Sequence, residues 1–136
     1  MATENFELSK AQRQNVLATA VRFAGSDVGA DFAATSVKFE VPPNAVLLRG
    51  NLLVLTADGG TSPTYNVGTS ADEDAYGQNL DIDGTPASVP LTGIPAKLAE
   101  GTTLAVSHGT GTIAGDGDFL LVLEYAVEGR GNEVFG

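Results

Sequence analysis

The sequence predicts an all-β sandwich, and three observations carry the prediction. Its 136 residues include 17 glycines and 6 prolines, a density of turn formers that suits short strands and not a helix bundle. One segment, TSVKFEVPP, alternates with the two-residue period of a half-buried strand, with Val37, Phe39 and Val41 on one side and Lys38 and Glu40 on the other. Two more, AVLLRGNLLVLTA and DFLLVLEYAVE, are apolar runs bounded by turn residues. Several strands joined at this spacing describe a β-sandwich or jelly roll, with Greek-key and up-and-down orders both open.

Taken in order, LSKAQRQNVLATAVRF begins with Ser9 placed to cap a turn and with the helix formers Ala11, Gln12, Arg13 and Gln14. Val16, Ala18, Ala20 and Val21 then fit neither period, so a short helical turn leading into a strand is expected. AGSDVGADF is a loop. The alternating strand ends at Pro42 and Pro43, which have no N–H to give a ladder, and the extended chain restarts at Asn44, Ala45 and Val46. AVLLRGNLLVLTA is apolar on both faces except at Arg49, Gly50 and Asn51, which predicts a strand covered on both sides with a bulge or bend at the glycine.

DGGTSP is a turn, TYNVGT a short strand, and SADEDAYGQNLDIDGTP a long polar excursion. ASVPLTGIP reads as a broken edge stretch, because Pro90 and Pro95 would interrupt a central ladder. TTLAVSH and DFLLVLEYAVE are the last two strands, and the GDGD between them reads as a hairpin turn. No repeat or linker divides the chain, so residues 1–136 are expected to form one domain, with arms at 1–15 and 129–136 outside the β pattern.

Charge and composition narrow the function. Seven Lys and Arg against 17 Asp and Glu give a net charge of −10, a field that repels nucleic acid and anionic membranes. The basic residues are scattered, with no aromatic residues interleaved to stack on bases. Without cysteine, disulfides, thiolate metal sites and cysteine nucleophiles are excluded. The N-terminus lacks the pattern of a secretory signal and no 18-residue apolar run occurs, so a soluble protein made in the cytosol is expected.

No catalytic constellation emerges. His108 is the only histidine, and Ser107 beside it on a strand would point to the opposite face. The acidic group Asp72, Glu73, Asp74, Asp81 and Asp83 includes DIDG, but the regular ligand offsets and closing glutamate of a calcium loop are missing. HGTGTIAGDG has neither the Lys-Ser/Thr ending of a P-loop nor a helix to open. No enzyme activity, cofactor or metal is expected; surface binding or assembly remains. A carbohydrate-binding module using Tyr65, Tyr76 and the acidic loop is one such reading, weakened by the absence of tryptophan.

The segments VPPNAVLLRGNLLVLTA, PTYNVGTSAD and LLVLEYAVEGR, followed by a short tail, together resemble small virion structural proteins of tailed bacteriophages, above all the head decoration or cement proteins. The resemblance runs from about Val37 to Gly136 and rests most on VEGR after an apolar strand; the Asn after VPP and the acidic Ser70–Thr85 loop depart from it. It implies a jelly-roll-like β-sandwich with extended N- and C-terminal arms, homotrimeric, on the outer capsid surface, bridging subunits of the major capsid protein. A tail or head-fibre component is the alternative it leaves.

On that implication the arms acquire roles. Phe6 and Leu8, spaced for one face of an extended arm, are candidates for capsid contact; Arg130, Val134 and Phe135 are candidates for contact between like subunits. Ordering such an arm costs about 1–2 kcal/mol per residue, so its partner must bury the apolar side chains and bond the backbone.

Overall fold

In the computed structural model, residues 16–42, 44–84, 87–98 and 103–127 are described. They form nine strands: β1 (Leu17–Ala24), β2 (Lys38–Glu40), β3 (Ala45–Thr56), β4 (Thr64–Gly68), β5 (Gly77–Asp81), β6 (Ala87–Pro90), β7 (Ala96–Lys97), β8 (Thr103–His108) and β9 (Asp118–Val127). One sheet runs β1-β9-β3-β6, with β7 also on β3, and the other β2-β8-β4-β5. Every named strand pair is antiparallel. The fold is therefore an all-β sandwich. No helix of the described residues is long and apolar enough to cross a membrane.

The core is what the inner faces of the two sheets put together. Alternation along β9 buries Phe119, Leu121 and Leu123, and along β3 it buries Leu47, Leu52 and Val54. These meet Tyr65 and Val67 of β4, Leu80 of β5, and Leu104 and Val106 of β8. Three rings cluster at the centre: Phe119 stacks on Phe23 at 5.5 Å between centroids and meets Tyr65 edge-on at 5.1 Å.

Several sequence expectations change. The TSVKFEVPP segment pairs only over Lys38–Glu40, although Val37 and Val41 are buried as the alternation requires. The polar excursion contains β5, which pairs with β4 through Tyr65↔Leu80 and Val67↔Gly77. GDGD is not a hairpin turn, because β8 and β9 lie in different sheets and the segment between them crosses the end of the sandwich. The loop after β1 opens with a single 3-10 turn, Gly25–Asp27. The helical turn expected before β1 lies outside the described residues.

The bulge expected at Gly50 lies elsewhere. Register shifts fall between Leu47 and Arg49 and between Val54 and Thr56, so the extra residues are Leu48 and Leu55. Gly50 is buried, and a Cβ there would lie 2.7 Å from Leu91 Cδ1 and 2.8 Å from Leu123 Cδ2. The glycine serves close approach of two leucines.

One carboxylate ties the turn after β3 to the crossing between β8 and β9. Asp58 is 3% exposed; its Oδ2 accepts the N–H of Gly60 and of Ala114, each at 2.9 Å, and its Oδ1 the N–H of Gly115 at 2.8 Å. Burial pushes its carboxyl up, but the backbone donors, Ala114 foremost, outweigh burial and hold it below the usual carboxylate range. Asp116 reciprocates by accepting the Gly59 N–H at 2.9 Å.

Candidate interaction surface

Phe6, Leu8, Arg130, Val134 and Phe135, the contact residues expected from the sequence, lie outside the described residues. Of the other residues singled out, His108 ends β8 with its ring stacked against Tyr65, centroids 6.1 Å apart. Tyr65 is wholly buried, which removes it as a sugar-stacking platform. Tyr76 is only half-buried.

The acidic residues divide into local pairs. Asp81 Oδ1 accepts the Asp83 N–H at 3.0 Å, while Glu73 Oε2 accepts the Phe32 N–H at 3.3 Å. A hydrogen bond to Asp72 raises the Asp74 carboxyl, and one to Asp81 raises that of Asp83. Among the described residues no three Asp, Glu or His side chains converge as a metal would require.

The surface that stands out is the outer face of the five-stranded sheet. Leu47 and Gly50 point inward, so Leu48 and Arg49 between them both face outward; Val54 likewise is buried while Leu55 and Thr56 are exposed. Each bulge of β3 thus adds a leucine to the outside. Leu55 is 41% exposed. Cross-strand register extends the strip: Leu53 lies opposite Leu120 on β9, and Ala20 on β1 lies opposite Val122, which in turn faces Asn51. Among the described residues β3 is therefore covered on one side only, where its sequence predicts cover on both.

Both carboxylates on this face are paired within it, and Lys97 of β7 lies opposite Val46 on the same side. Arg22 reaches from β1 to Asp118, Nη2 to Oδ2 at 2.6 Å, and Arg49 donates through Nε to Glu124 Oε1 at 2.9 Å. The hydrogen bond to Arg22 holds the Asp118 carboxyl below the usual range. At the β6 side, Leu53, Val54, Leu55, Ala87 and Ser88 line an open, mostly apolar groove of about 330 Å³. Among the described residues this face presents small and aliphatic groups, two ion pairs and Lys97.

The architecture has counterparts among solved structures. A chain of the cyanophage Pam1 capsid asymmetric unit is similar over 85% of this chain and 85% of its own, with a TM-score of 0.59 and 24% identity. A chain from the capsid of Ralstonia phage GP4 is similar over 83% of this chain and 84% of its own, with a TM-score of 0.55 and 21% identity. These likenesses show a shared fold. No protein-family model matches the sequence, and no curated protein does. Half of this face's signal is in the sequence, a strand apolar on both sides; which side the described residues leave open is set by the tertiary fold.

Proposed function

We propose that this chain is a virion structural protein of a tailed bacteriophage, a non-enzymatic decoration protein that binds the outer surface of the capsid and braces the lattice of the major capsid protein. The observation that carries the reading is the fold shared with chains of two phage capsids, over more than four-fifths of both partners. Those chains are about as long as this one, so the likeness is to a small capsid component and not to one domain of a large one. The VEGR-ended strand and its tail, noted in the sequence, point the same way.

On this reading the chain acts as one sandwich domain, with residues 1–15 and 129–136 as arms, and assembles as a homotrimer. The strand order, with β1 beside β9 and the chain passing between sheets at most of its connections, supports describing the sandwich as a jelly roll. Phe6 and Leu8 grip the capsid; Arg130, Val134 and Phe135 reach a like subunit. The net charge of −10 keeps the protein from competing for packaged DNA.

Stabilisation follows from mass action: a protein that binds only the assembled shell shifts every opening equilibrium toward it. Expanded heads lacking the protein should still assemble, and adding it back should raise the temperature at which they release DNA, read by dye access during heating. An unchanged release temperature at saturating protein counts against the bracing role.

A further inference from the structure

We propose that the outer face of the five-stranded sheet is the surface through which copies of this chain associate, a second copy being its occupant. The inference rests on the homo-oligomer part of the reading above and not on capsid binding. A strand as apolar as β3 on both sides specifies cover on both sides. The second sheet covers the inner side; outside, Leu53, Leu55, Leu120 and Val122 are left at the surface or only half-buried.

Charge selects the occupant. The chain is strongly acidic, and its remaining described carboxylates lie in loops and on the four-stranded sheet. On this face the two carboxylates, Asp118 and Glu124, are each neutralised by an arginine of the same face. A face built for a cationic partner would leave its carboxylates free. With its two carboxylates paired and Lys97 of β7 opposite the outward-facing Val46, this face is where another anionic molecule can approach without like-charge repulsion, and a second copy is such a molecule.

The dimensions agree. Four strands about 4.8 Å apart and about eight residues long at about 3.3 Å per residue make a face of roughly 500 Å² per copy, so two copies bury roughly the 1,000 Å² expected of a specific interface. The groove beside Leu55 and Ala87 gives a side chain of the second copy a place to seat.

Sedimentation velocity on the full chain tests this. The wild type should sediment as an oligomer, and the double variant Leu53→Glu, Leu120→Glu as a monomer with unchanged circular dichroism. A wild type that stays monomeric at its solubility limit overturns the inference, as does a double variant that still associates. Because the chain has no cysteine, Ala20→Cys gives a second reading that does not depend on those glutamates being tolerated. Its maleimide labelling should slow as protein concentration rises, relative to the exposed control Ser70→Cys. Labelling as fast as the control at every concentration overturns the proposal. So does protection that ignores concentration and vanishes when residues 1–15 are deleted, since the cover is then the chain's own N-terminal segment. Binding to phage heads is scored separately, so loss of self-association and loss of capsid affinity are told apart.

Discussion

Replacing Asp58 with alanine should lower stability by about 4 kcal/mol, seen as a fall in the urea midpoint with an unchanged slope. The carboxylate accepts N–H groups of Gly60, Ala114 and Gly115 while almost wholly buried. Removing it strands those donors, and an unmet buried donor costs about 1–3 kcal/mol. Asp58→Asn keeps one acceptor oxygen but brings an NH2 toward donors, and should cost about half as much. Against a typical total of about 5–15 kcal/mol, the alanine variant is close to the limit of a folded chain. A loss under about 1 kcal/mol contradicts the role assigned to this carboxylate.

The same residue sets the sign of one pH effect. The Asp58 carboxyl is held below its unfolded value by the backbone donors, against the opposing effect of burial. Its contribution is therefore fully present above the unfolded carboxylate value and is lost as pH falls through the lower folded value. Wild type should lose stability in that acid window, and Asp58→Asn should lose less of it.

Phe119→Ala is expected to cost about 3–5 kcal/mol, by the same denaturation measurement. Phe119 is fully buried between Phe23 and Tyr65, themselves 6.2 Å apart, so truncation opens a void at the centre of the ring cluster. Tyr65→Phe is the informative control. The Tyr65 hydroxyl is buried and without a hydrogen-bond partner among the described residues. Burial, with Asp58 and Asp116 nearby, pushes its phenol far up, so it is neutral at any working pH. Deleting that oxygen removes no bond and keeps the ring, and stability should change by less than about 0.5 kcal/mol or rise. A large loss from Tyr65→Phe would show that the hydroxyl is held after all.

How much of this was legible in the sequence depended on how local each signal is. β3, β8 and β9 could be read because apolar residues crowd their segments between turn formers. β5 could not, since GQNLD offers Leu80 as its single large apolar residue and owes its pairing to β4 beside it. Sheet membership was equally hidden: GDGD has hairpin chemistry, but the strands it joins belong to different layers, a decision made by the whole sandwich. At Gly50 the sequence signalled an irregularity and missed its kind, because bulge and close approach both call for glycine and only tertiary packing separates them.

The candidate surface was half legible. Apolar residues on both sides of β3 announced two covers, and the described residues supply one, so the outer face emerges from the difference between pattern and structure. The five arm residues on which the sequence reading placed its contacts fall outside the described residues, and their roles rest on the proposal alone.

The most direct test is co-sedimentation of the purified protein with expanded phage heads that lack it, alongside unexpanded proheads and isolated tails. The account predicts saturable binding to the expanded heads, in a fixed ratio to the major capsid protein, and none to the other two. Binding to tails alone, or to no particle, contradicts it.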